Sequence, residues 1–147
     1  MSAPTAGPAG TTRPVVTRRP VALGLRIVLA VCVVTSAVVH LQLWNDGMKS
    51  VDVVGPAFLL NGVGGIVIGV LLLTWRTVWP VLGAIGFGAA TLGAFVVATT
   101  VGLFGVQSRW EGVPEWVSAI TEAVAIVLGV VTLLVERRLV AAAATRV

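Results

Sequence analysis

Residues 116–135 read WVSAITEAVAIVLGVVTLLV and contain one ionisable side chain, Glu122. At about 1.5 Å per residue the run is long enough to cross a hydrocarbon layer of roughly 30 Å. A carboxylate at the centre of such a layer costs about 3 kcal/mol even on lenient insertion scales, so it turns into a bundle interior and takes a partner there. The rest of the chain reads as the helices that supply that interior.

Composition agrees. Of 147 residues, 57% are hydrophobic and 11% charged, and the mean hydropathy is +1.03. A soluble domain carries about 25% charged residues, so a soluble core is excluded and the lipid bilayer is the expected surrounding. The net charge of +4 sits at the edges of apolar runs, not in a patch, and nothing points to nucleic acid. One cysteine, Cys32, and one histidine, His40, supply neither an internal disulfide nor a credible metal set, so no metal or cofactor is expected. No nucleophile elbow, phosphate loop or haem-attachment motif is present, and nothing points to an enzyme.

Pro20, Pro56, Pro80 and Pro114 stand at the starts of four apolar runs. Proline is tolerated in a helix's first turn, where its missing N–H has no partner to lose. Hydropathy and punctuation therefore agree on helices near 21–44, 53–74, 79–106 and 115–137, within a bundle covering 20–138. Residues 1–19, rich in Pro, Ala, Gly and Thr, read as a disordered basic cytoplasmic tail, and 139–147 as a short cytoplasmic one. Arg18-Arg19 ahead of an apolar run invites a signal-peptide reading. The run is longer than an h-region and lacks a cleavage site, so an uncleaved first span is expected. Short links make sequence neighbours antiparallel, giving an all-α, up-down-up-down integral membrane bundle.

Basic residues set its orientation. Arg13, Arg18, Arg19, Arg26, Arg76, Arg137, Arg138 and Arg146 fall on one side, and Lys49 and Arg109 on the other, so both termini are expected in the cytoplasm. Glu136, at the inner boundary, is expected to pair weakly with a neighbouring arginine. Trp44, Trp110 and Trp116 mark the outer boundary, and Trp75 and Trp79 the inner one. The second and third helices carry small-xxx-small pairs, among them Gly65/Gly69 and Ala89/Gly93. These suit close packing in one bundle first, and a homo-oligomer or a larger membrane complex second.

With this topology His40, Asn61, Thr99, Thr100 and Glu122 all fall roughly 6–11 Å below the outer boundary at 1.5 Å per residue. Helical spacing sharpens the picture. Ser118, Glu122, Ala125, Gly129 and Thr132 form a small, polar stripe, whereas Ile120, Val124, Val127, Val131 and Leu134 form a bulky one suited to lipid. Leu29, Ser36 and His40 share a face of the first helix, Asn61 lies in line with Gly65, and Gly86, Ala89, Gly93, Val96 and Thr100 give the third helix its small face, so each helix is expected to turn its small or polar face inward. The candidate site is therefore Glu122, His40, Asn61, Ser118, Thr99 and Thr100. Two functions fit it. One is a non-enzymatic accessory or assembly component, in which the cluster fixes helix register. The other is a small-molecule-binding protein or proton-coupled transporter that uses Glu122 and His40.

Four stretches, HLQLW (40–44), GPAFLLNGVGG (55–65), GLFGVQ (102–107) and SAITEA (118–123), resemble small, uncharacterised four-helix integral membrane proteins of actinobacteria. That resemblance implies a plasma-membrane location and the same topology, with no activity attached. In size and span number the chain is also similar to DoxX-like proteins, without a shared motif. Small multidrug-resistance transporters are similar in span number, but their functional glutamate lies in a first helix, where this chain has none.

Overall fold

The computed structural model describes residues 19–145. Residues 1–18 of the expected tail, and with them Arg13 and Arg18, lie outside it, as does Arg146. Within it the regular structure is helical: α1 (Leu23–Asn45), α2 (Val54–Thr74), α3 (Trp79–Thr100) and α4 (Val113–Ala144), with a 3-10 turn at Met48–Ser50. All four helices are long and apolar enough to cross a membrane. Large apolar side chains such as Val31, Leu60 and Val127 lie more than half exposed on the outer surface, which suits a lipid surrounding. Pro80 and Pro114 occupy the first turns of α3 and α4, as the punctuation predicts.

Two boundaries differ from expectation. α3 stops at Thr100, six residues short of the expected 106. Gly102 adopts φ +83° and donates its N–H to Val97 O, a left-handed stop that a run of apolar letters conceals. Leu103 and Val106 then pair across a tight turn with positive φ at Phe104 and Gly105, and Ser108 N–H donates to Ala98 O. At the other extreme α4 continues through LVAAAA to Ala144, because alanine is the strongest helix former and nothing there stops it.

α1 packs between α2 and α4, and α3 closes against α4 and, more lightly, α2. Glycines set the separations. Gly62 meets Leu41, Gly65 meets Ala37 and Gly69 meets Val34, so the contacts descend α1 as they ascend α2. Between α3 and α4, a Cβ on Gly88 would lie 2.8 Å from Glu122 O, and one on Gly129 would lie 2.5 Å from the Ile85 side chain. Leu29, Val33, Leu72, Val81, Phe87 and Ala125 fill the core.

The small stripe of α3 is a correction. Gly86, Ala89, Gly93, Val96 and Thr100 are exposed, and Val81, Ala84, Phe87, Gly88, Thr91 and Ala98 are buried instead. Bulk decides the matter: Val81 and Phe87 fill the interior, while lipid accepts a small apolar face at no hydrophobic cost. Of the two glycine-rich helices expected to carry an oligomer, α2 uses its small residues inside the bundle and α3 keeps its stripe outside.

Arg26 and Glu136 are the second correction. Arg26 is buried, not interfacial, and Glu136 pairs with it instead of with its sequence neighbours; both are 1% exposed. Nε donates to Glu136 Oε1 at 2.6 Å and Nη2 to Oε2 at 2.8 Å, a bidentate fork. The remaining donors reach Leu72 O, Trp75 O and Thr77 O at 3.4, 2.9 and 2.6 Å. All five guanidinium N–H groups are thereby used, and carbonyls left over at the end of α2 gain a cationic cap. Glu136 Oε1 also accepts the Ala22 N–H at the start of α1. One ion pair therefore joins the start of α1, the end of α2 and the Glu136 turn of α4 with the link to α3.

Glu136→Gln should lower unfolding stability in detergent by about 3–5 kcal/mol, the usual cost of leaving one half of a buried pair. Arg26→Met combined with Glu136→Leu should recover only part of this, because the three carbonyls lose their donors too. Wild-type stability in the single variant would refute the coupling.

Candidate functional site

At the opposite end of the bundle, two i, i+4 pairs face each other: Ser36 and His40 on α1, Ser118 and Glu122 on α4. All four side chains are buried, Glu122 to 2% exposure. The Ser36 and Ser118 hydroxyls each donate to Glu122 Oε1 at 2.7 Å and lie 3.3 Å from each other. The expected inward stripe of α4 holds along its whole length, since Ala125, Gly129 and Thr132 are buried too and Ile120, Val124, Val127, Val131 and Leu134 face out.

The His40 ring is oriented by its own helix. Nδ1 lies 2.9 Å from Ser36 O, and a carbonyl can only accept, so Nδ1 carries a hydrogen. Phe58 and Phe87 flank the ring at centroid distances of 5.2 and 6.4 Å. Nε2 then points to Glu122, 3.9 Å from Oε1. That gap is too long for a hydrogen bond and short enough for strong charge coupling.

Beside this cluster lies a cavity of about 160 Å³, close to the ~150 Å³ apolar cavity that accommodates benzene. Leu43, Val54, Ala57, Phe58, Ala94, Phe95 and Ala98 give it an apolar wall, and Leu103, Phe104, Val106 and Ser108 of the folded-back 101–112 segment complete it. His40, Asn61, Thr91, Glu115, Ser118 and Glu122 supply its polar groups. Phe95 stacks edge-on against Trp110 at 4.6 Å, and Trp110 lies 4.7 Å from Trp116, so an aromatic group stands behind one wall.

The expected residues divide cleanly. Glu122, His40 and Ser118 meet in one network, and Asn61 lines the cavity without joining it. Thr99 and Thr100 do not reach the cavity. Their hydroxyls bond to Val96 O of their own helix, and α3 ends there because Gly102 stops it. Sequence reasoning leaves three participants out. Ser36 shares the His40 face and is discoverable by its i, i+4 spacing. Thr91 takes the place given to Thr99 and Thr100, and its hydroxyl is bonded to Phe87 O. Glu115, assigned to the outer boundary, lies seven residues before Glu122 on nearly the same face of α4.

Gly88 ties packing to site, because its close approach is to the backbone of Glu122 itself. Gly88→Ala should cost about 1–3 kcal/mol by overpacking, whereas Gly86→Ala, with no atom within 4 Å of the added carbon, should be neutral or stabilise by up to about 1 kcal/mol. Thermal denaturation of the two variants side by side checks the contrast. No family model, curated protein or solved structure matches the chain.

Proposed function

We propose that this multi-pass protein binds a small ammonium-bearing or hydrogen-bonding molecule in the cavity, with Glu122 and His40 as its ionisable anchors. The helices run up-down-up-down through the plasma membrane with both termini cytoplasmic, which places the cavity in the outer half. One observation supports this over the accessory reading: the contrast between the two buried glutamates. Glu136 has donors on both oxygens. Glu122 concentrates its donors on Oε1, and among the described residues none reaches Oε2. A carboxylate that only fixes helix register is expected to be satisfied and close-packed. This one borders open space instead.

The resemblance to small actinobacterial four-helix proteins belongs to the same reading. Each of its four stretches brings residues to the cavity wall: His40 and Leu43, then Phe58 and Asn61, then Leu103, Phe104 and Val106, then Ser118 and Glu122.

The test is thermal stability of purified protein against a panel of small mono- and diamines, amides and alcohols. At a concentration one hundred times its Kd a ligand adds about 2.7 kcal/mol. Glu122→Gln, produced at wild-type abundance, should remove that gain. Failure of the whole panel, or an unchanged gain in the variant, would overturn the reading. Besides Glu122 and His40, the titratable group lining the cavity is Glu115; the polar residues of α2 and α3 there are the neutral Asn61 and Thr91.

A further inference from the structure

We propose, resting on the cavity reading above, that Glu115 is a second anchor and that the ligand is a short linear aliphatic diamine held between Glu115 and Glu122. Among the described residues three buried side-chain atoms lack a hydrogen-bond partner: Arg19 Nε, Thr77 Oγ1 and Glu115 Oε2. Only Glu115 belongs to the cavity wall. A glutamate in the first turn of a helix ordinarily serves the exposed N–H groups there, yet the start of α4 has no side-chain cap hydrogen bond. The Glu115 carboxyl instead lies over Gly112, in the space a Cβ at that position would occupy. Glu115 and Glu122 thus both line the cavity, and each has one carboxylate oxygen without a protein donor among the described residues.

Their spacing selects the ligand. Seven residues of helix separate the two Cα atoms by about 10.5 Å. Both side chains lean toward the helix start, Glu122 onto Ser118 and Glu115 onto Gly112, so the carboxylates keep nearly that offset. One metal ion, with ligand distances of about 2.0–2.6 Å, cannot bridge such a gap. A single amine leaves one carboxylate without a counter-charge. Allowing about 2.8 Å for each ammonium–carboxylate contact leaves roughly 5–8 Å between two nitrogens, the span of about four or five methylenes. The wall between the two acids is apolar, with Ala119 of α4 and Ala94, Phe95 and Ala98 of α3, which suits an alkyl chain.

Calorimetric titration of the purified chain with putrescine, cadaverine, n-butylamine and n-butanol tests this. One of the diamines should bind at least about tenfold more tightly than butylamine, about 1.4 kcal/mol. Glu115→Gln should bring it to within about twofold of butylamine. Gly112→Ala, which leaves every charge in place and displaces the Glu115 carboxyl, should do the same. Equal affinity for butylamine and both diamines, or a diamine preference that survives Glu115→Gln, overturns the second anchor while leaving the cavity reading intact. Binding of butanol but of no amine overturns it as well. No binding by any probe, here or in the wider panel, removes both.

Discussion

A guanidinium that cannot reach water must use every donor it has, and Arg26 shows what that requirement does to a four-helix chain. Its five N–H groups face a carboxylate from α4 and carbonyls from α2 and the link to α3, while that carboxylate also caps the start of α1. In water such a pair would contribute little. In a low-dielectric interior the alternative is an unpaired charge, so the four elements are held in one arrangement at this end. The ion pair therefore contributes to specificity of packing more than to net stability.

The other end is built differently. Between α2 and α3 the link is four residues, 75–78, whereas 46–53 and 101–112 give the opposite end two longer connections. Helices pinned at one end and joined by longer segments at the other leave room between them, and the cavity lies at the looser end. Its polar groups remain oriented all the same. Gly88 brings α3 onto the backbone of Glu122, and Ser36 and Ser118 hold one oxygen of its side chain. The acid is fixed in position while its second oxygen has no donor among the described residues, which is the preorganisation a binding site needs.

Which features are legible in the sequence follows from how local they are. The inward stripe of α4 is readable because polar and small residues at helical spacing stand out in an apolar run, and His40 with Ser36 repeats that signal on α1. The face of α3 is not readable in the same way. Where both candidate faces are apolar or small, periodicity cannot say which meets protein and which meets lipid, and the bulk of Phe87 and Val81 decides it. Arg26 and Glu136 are 110 residues apart in the chain. Each alone resembles a boundary charge that sets orientation, and only the folded contact reveals a pair. The stop at Gly102 is hidden for a related reason, since a glycine within an apolar stretch reads equally as a close-packing residue or a left-handed cap.

The two buried glutamates of α4 give an internal comparison that no single site offers. They share a helix, a face and near-complete burial, so helix propensity, depth on the face and solvent access do not distinguish them. What differs is the partner set. Glu136 faces a fixed cation with both oxygens engaged, and nothing further can approach without displacing Arg26. Glu122 faces two hydroxyls, both bonded to one oxygen, and an imidazole nitrogen 3.9 Å away, beyond hydrogen-bond reach. Both hydroxyls engage one oxygen, and the other has no donor among the described residues, so the partner set of Glu122 is open where that of Glu136 is closed. On the reading proposed for the cavity, a cationic ligand completes that set.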